Sequence, residues 1–223
     1  MLPRYERNIP SLTLEESQLL RKKTVAVIGC GGLGGYIIEQ LARLGIGAIR
    51  IIDGDVFEES NLNRQLFSDV TVLGKPKTEV SRARIAAVNP DVQVQSLYGY
   101  LDEANAEPFL DGCDAVVGAL DNIFTRRILE KTCEKLGIPY IYGAIHGWVA
   151  QVAVDMPGQR LIEKMYPEGA AFKDKSSLSF TPGLCASMQT ALCVKLLVGR
   201  PVQTGTIFYF DLLEQEFETI PMA

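Results

Sequence analysis

The stretch VAVIGCGGLGGYIIEQLARLGIGAIRIIDGDVFEESNLNRQLF, residues 25–67, decides how this chain folds. TVAVIG (24–29) is apolar and β-branched, as a buried strand requires. Gly29, Gly31, Gly32 and Gly34 come next, and Leu33, Ile37, Ile38, Leu41 and Leu44 then recur at helical spacing. AIRIID (48–53) reads as a second strand, closed by Asp53. Glycines between a strand and a helix permit a tight turn and let a phosphate approach the unpaired N–H groups of the helix N-terminus. An acid at the end of the next strand accepts hydrogen bonds from ribose hydroxyls. The order strand, glycines, helix, strand, acid therefore predicts a nucleotide site rather than a glycine-rich turn that binds nothing. A nicotinamide or flavin cofactor fits these glycines as well as ATP does.

The residues after the acid discriminate. Asp53-Gly-Asp55 leads into Ser60-Asn61-Leu62-Asn63-Arg64-Gln65 and then Gly74-Lys75-Pro76-Lys77. Amide side chains and a guanidinium just past a ribose-binding acid suit a polyphosphate better than a nicotinamide ring. Arginine grips phosphate through paired donors, and lysine supplies a point charge. Lys77 falls in the first turn of a predicted helix, where a cation is disfavoured unless an anion lies nearby. Each basic residue alone reads as a solvated charge; together, behind a nucleotide loop, they indicate triphosphate handling.

Outward from this stretch, strands and helices keep alternating. A helix is expected from about Pro76 to Val88 and a strand over 91–97. A short acidic helix over 102–110 follows, then the buried strand DAVVGAL (114–120), a helix over 123–136 ended by Gly137, and the strand 138–145. That rhythm predicts an α/β, Rossmann-like, mostly parallel sheet with helices on both faces. Asp121-Asn122 follows a strand end, where ligands gather in open parallel sheets. Asp121 or Asn122 suits the helix N-cap, and Asp121 also suits a Mg²⁺ ligand, since Mg²⁺ takes one or two carboxylates plus phosphate oxygens; both roles hold if Asn122 caps while Asp121 faces the metal. The flanks differ from the centre. Residues 1–22 read as a leader with one helix capped by Ser11. Residues 159–181 form a mixed, aperiodic crossover loop, a helix follows over roughly 183–198, and 204–220 forms an antiparallel C-terminal β hairpin. We expect one domain over residues 1–223.

Composition agrees. Hydrophobic residues make up 47% of the 223, enough for a sizeable core, and the net charge of −5 disfavours general nucleic-acid or membrane-surface binding. No apolar run approaches the ~20 residues of a membrane span. The five cysteines, Cys30, Cys113, Cys133, Cys185 and Cys193, form no C-x-x-C pair, and their odd number favours reduced thiols in the cytoplasm.

With Gly-Cys-Gly-Gly-Leu-Gly, the acids from Asp53, SNLNRQ, GKPK, Asp121-Asn122 and the helix SMQTALCVKLLVG (187–199), the chain resembles the MoeB/ThiF/HesA family, bacterial relatives of ubiquitin-activating enzymes. The resemblance runs from Arg4-Tyr5-Glu6-Arg7 to about Gly199. It implies an ATP-dependent adenylyltransferase. In that reaction the C-terminal glycine carboxylate of a small ubiquitin-like sulfur carrier attacks the α-phosphorus of ATP, forming an acyl-adenylate as pyrophosphate leaves. It also implies that Gly32, Asp53, Asn61, Asn63, Arg64, Lys77, Asp121 and Asn122 bind ATP or Mg²⁺ and that Arg7 contacts phosphates. Arg7, Arg64, Lys77 and Asp121 are then the catalytic set. In relatives the arginine equivalent to Arg64 reaches into the partner's site, so a homodimer is implied. The nucleophile is already a carboxylate and needs no strong base, which fits a chain whose only histidine is His146. His146 lies where it could touch the peptide tail, although a packed or surface role is the commoner one.

Two departures from the family's pattern follow. Relatives carry two C-x-x-C pairs for a structural zinc, whereas here the corresponding segment is Pro157-Gly-Gln-Arg-Leu-Ile-Glu-Lys, so no such zinc is expected. Others place a cysteine in the crossover loop, where this chain has Phe172. Cys185, read at the start of a helix, is the nearest thiol; a helix N-terminus would activate it, but a small buried cysteine is the commoner case. Competing readings are another carboxylate substrate (a peptide terminus or a threonylcarbamoyl group on transfer RNA), an NAD- or FAD-dependent oxidoreductase, and a non-catalytic partner of an activating enzyme.

Overall fold

A computed structural model describes residues 2–167, 169 and 176–222. After a 3₁₀ turn over Pro3–Asn8, the elements run α1 (Leu14–Leu20), β1 (Thr24–Ile28), α2 (Gly32–Leu44), β2 (Ala48–Asp53), α3 (Lys77–Val88) and β3 (Gln93–Tyr98). They continue with α4 (Ala106–Leu110), β4 (Ala115–Gly118), α5 (Ile123–Leu136), β5 (Tyr140–His146), β6 (Val149–Asp155), α6 (Leu161–Met165), α7 (Phe180–Leu197), β7 (Thr206–Asp211) and β8 (Glu216–Pro221). One eight-stranded sheet has the order β3-β2-β1-β4-β5-β6-β7-β8. Its first five strands are parallel, and β6, β7 and β8 are added antiparallel. The expected α/β architecture with an antiparallel extension is what forms.

The pleat divides the core in two. Val25, Val27, Ile49 and Ile51 join the cluster that packs on α2 and α7, while Ala26, Ile28, Ile52 and Val116 join the cluster beneath α4 and α5. Strands buried on both faces have no polar side to alternate with, which is why β1 is apolar throughout. Each Ile or Val fully buried there contributes about 1.5–3 kcal/mol of transfer free energy. Helix ends follow their caps. Gly45 and Gly137 end α2 and α5 in the left-handed region, and Asn122 Oδ1 accepts the Thr125 N–H at the start of α5.

Several boundaries differ from expectation, and α4 starts at Ala106 rather than at 102. The leader helix is capped by Thr13, not Ser11: Thr13 Oγ1 accepts the Glu16 N–H, and the Glu16 carboxylate accepts the Thr13 N–H. That reciprocal pair satisfies two otherwise unpaired donors and outcompetes a single serine cap. The final helix begins at Phe180, so Pro182 lies inside its first turn, where a missing N–H costs nothing. The crossover region contains α6, whose first N–H groups are met by a buried carboxyl. Phe172, expected where relatives carry a loop cysteine, lies outside the described residues.

That carboxyl is Glu130 on α5, which accepts the N–H groups of Ile162 (2.5 Å) and Glu163 (3.3 Å) and lies beside Asp155 at the end of β6. Burial, then Asp155, pushes the Glu130 carboxyl up to about 8, and burial raises Asp155 as well. Cys133, Glu134, Arg160 and Lys164 surround the pair. The folded protein thus binds the Glu130 proton more tightly than the unfolded chain does. The resulting stabilisation is complete below the ordinary carboxylate range near 4.5 and is lost as pH rises through about 8. Urea midpoints should therefore fall between pH 5 and pH 9, and Glu130→Gln, which cannot ionise, should flatten that dependence.

Candidate functional site

A cleft of about 270 Å³ opens at the carboxyl ends of β1, β2, β4 and β5. This is where strand order reverses about β1, with β2 to one side and β4 to the other. Its floor is the turn from β1 into α2. Gly29 adopts φ 100°, and a Cβ there would lie 2.5 Å from the Ala119 carbonyl oxygen. A Cβ on Gly34 would sit 1.9 Å from the Gly29 oxygen, so this glycine lets α2 close onto its own entry turn. Gly31 and Gly32 face the cleft, and no side chain caps the first turn of α2. Unpaired N–H groups and the positive end of the helix dipole therefore meet the cleft together. Gly29, Gly31 and Gly32 line it; Gly34 shapes it from behind.

Asp53 ends β2 almost wholly buried, and its two oxygens accept the N–H groups of Cys30 (2.6 Å) and Asp55 (2.8 Å). Burial raises its pKa, against the lowering effect of those two hydrogen bonds and of Lys77. Each oxygen retains a second lone pair for a hydroxyl donor. Lys77 is 5% exposed and donates Nζ to Asp55 Oδ2 at 3.0 Å. The anion that makes a lysine acceptable in the first turn of α3 is thus supplied by the chain itself.

Arg64 lies along the cleft wall, with Nη1 donating to the Ser60 carbonyl (3.0 Å) and to Asn63 Oδ1 (2.8 Å). Asn61 and Asn63 do not line the cleft. Asn61 Oδ1 accepts the Glu58 N–H and forms the turn that carries Arg64, and Asn63 Nδ2 donates to the Ser177 carbonyl. Their amides are occupied in shaping the loop. Asp121 stands exposed on the cleft wall just past β4, with Asn122 beside it as the α5 cap. His146, at the end of β5, is exposed on the same wall.

Arg7 is not brought to this cleft. Tyr5 packs against Gly45 at the far end of α2 and accepts Asn89 Nδ2 at the end of α3, which pins the leader there. The 13 residues of α2 separate the two ends by about 20 Å. Cys185 is also excluded from chemistry. It lies six residues into α7 with no exposed surface, and burial pushes its thiol up to about 12.

Several cleft residues escaped sequence reasoning. Gln65, 7% exposed, has a buried Oε1 without a partner beside Gly31. Arg126, 3% exposed, donates to the Leu120 carbonyl (2.6 Å) and the Tyr166 hydroxyl (2.9 Å), with its guanidinium 5.0 Å from the Tyr142 ring centroid. It ties the loop carrying Asp121 to β5. Gln65 was visible as the last letter of SNLNRQ; Arg126 is one turn into a helix whose bounds and cap were read but whose side chains were not.

Among the described residues no helix is long and apolar enough to cross a membrane. The chain matches the ThiF family over residues 5–223. It is 34% identical to the SAMP-activating enzyme E1 of Haloferax volcanii, over 99% of this chain and 85% of that protein. It is 32% identical to the sulfur carrier protein adenylyltransferase of Thermus thermophilus, over 98% of this chain and 86% of that one. In fold it superposes on the crystal structure of E. coli MccB with ATP at a TM-score of 0.87, covering 100% of this chain and 72% of that one at 23% identity. The glycine turn, the acid at the end of β2, the basic residues behind it and these matches over nearly the whole chain identify the protein as a member of the ThiF family.

Proposed function

We propose that this protein is an ATP-dependent adenylyltransferase that activates the C-terminal carboxylate of a small ubiquitin-like sulfur carrier ending in Gly-Gly. The observation that carries the reading is the convergence of Asp53, Arg64, Lys77 and Asp121 around the glycine turn in one cleft. The cleft fits a nucleotide triphosphate. Gly31 and Gly32 present a cradle without side chains, and the buried Gln65 oxygen awaits a donor. In this reading Asp53 takes the ribose hydroxyls, and the α2 N-terminus, Arg64 and Lys77 hold the phosphates. A carboxylate oxygen of the carrier attacks the α-phosphorus, the new O–P bond forms, and the bond to the β-phosphate oxygen breaks to release pyrophosphate. Arg64 and Lys77 offset the charge that builds on the phosphate oxygens. Asp121 is the carboxylate placed to hold Mg²⁺, which when bound would neutralise phosphate charge.

Residues 1–223 are read as a single nucleotide-binding unit working in the cytoplasm, in keeping with five buried free thiols. The homodimer is supported by Arg7 rather than by Arg64. Arg64 already lies on its own chain's cleft wall, while Arg7, held near the far end of α2, would need the cleft of a second copy to meet a phosphate. The direct test is ATP–pyrophosphate exchange with purified carrier proteins. Exchange that depends on a Gly-Gly terminus supports the reading. Exchange supported only by a free peptide or by threonylcarbamoylated transfer RNA would reassign the substrate, and purification with bound flavin or nicotinamide would overturn adenylation.

A further inference from the structure

Tyr100, two residues past β3, is 70% exposed yet fixed in place. Its hydroxyl donates to Asp55 Oδ1 at 2.7 Å. Its ring lies over Gly54, where a Cβ would come within 2.6 Å of ring atoms, so residue 54 must lack a side chain for the ring to sit there. Behind it, Asn105 Nδ2 donates to the Tyr100 carbonyl at 2.9 Å, and Asn105 Oδ1 accepts the Asp102 N–H. The other oxygen of Asp55 takes Lys77 Nζ at 3.0 Å. One carboxylate therefore joins an exposed phenol to an almost buried ammonium, and all three residues line the cleft.

We propose that Tyr100 is a positioning residue for nucleotide binding, holding Asp55 so that Asp55 aims Lys77 into the cleft and can release it to phosphate. The inference rests on the adenylation reading above. Asp55 is a half-exposed side chain, 50% accessible, and the phenol fixes the oxygen opposite the one that takes Lys77. When Lys77 turns toward a phosphate oxygen, the phenol stays on Asp55, so the carboxylate keeps a donor and competes less strongly for the ammonium. Asp55 pushes the Tyr100 hydroxyl up to about 12, so it remains a proton donor across the working pH range.

Tyr100→Phe keeps the ring over Gly54 and removes only the hydroxyl. ATP dissociation constants from calorimetry, and KM for ATP in exchange, should rise about five- to tenfold, the order expected for the net worth of one intramolecular hydrogen bond. The effect on KM should exceed that on kcat. In an Asp55→Ala background the same substitution should add less than a factor of two, because the relay is already broken. Tyr100→Phe protein that binds ATP within twofold of wild type, or effects that multiply in the double variant, would overturn the proposal while leaving adenylation standing. Wild-type protein that does not bind ATP would overturn both.

Discussion

Alanine at Arg64 or at Asp121 lowers ATP–pyrophosphate exchange by about 100- to 1,000-fold, the range seen when one preorganised group is removed from a developing charge. The two positions lie on different loops that line the cleft, so each loss should appear without help from the other. Neither residue is part of the core. Arg64 is half-buried and Asp121 exposed, so urea midpoints should stay near wild type while exchange collapses. Arg64→Lys separates charge from geometry. Lysine retains the positive charge but not the planar paired donors that grip phosphate, and only partial rescue is expected. Exchange left unchanged in both alanine variants would remove these residues from the chemistry.

Gly34→Ala is expected to destabilise the fold strongly, because its Cβ would make the shortest contact of any glycine in the chain. The added Cβ would lie 1.9 Å from the Gly29 oxygen, a backbone atom that can retreat only by opening the turn between β1 and α2. Overpacking at a well-fitted site costs about 1–3 kcal/mol and occasionally more, and the contact with backbone places this substitution at the upper end. The control is Gly32→Ala. Its Cβ would meet nothing closer than Pro182 Cγ at 3.7 Å, so the fold should tolerate it. Gly32 nevertheless lines the cleft, so that variant should bind ATP weakly while denaturing normally. Urea denaturation and ATP calorimetry on the two variants separate a glycine needed by the fold from a glycine needed by the ligand. Equal stability of Gly34→Ala and Gly32→Ala would refute the distinction.

How much of this was legible beforehand depends on the distance over which each residue acts. β1, α2 and β2 were readable because their signals are local: a continuous apolar run, a helical stripe and a closing acid. The α5 cap was readable only as one of the pair Asp121-Asn122, and the Thr125 N–H settles it on Asn122. The start of α7 was misplaced because Pro182 looks like a boundary until it is seen to occupy a position whose N–H has no helical partner. Asn61 and Asn63 sit in the motif that marks the site, yet spend their amides on the loop that presents Arg64. Tyr100 could not be found from sequence. Its partner Asp55 is 45 positions away, and they meet only because β3 pairs in parallel beside β2.

The two hydrogen bonds that Asp53 accepts bear on how such a site can diverge. The carboxylate that would read the ribose is also the clasp that fastens the Cys30 backbone and the Asp55 turn. A substitution that altered sugar recognition would simultaneously unfasten the phosphate loop. Nucleotide preference in this protein is therefore not a separable trait that a single exchange at residue 53 could retune. A lineage drifting toward another nucleotide would first need a second anchor for the loop, and an engineer would have to build that anchor before touching the acid.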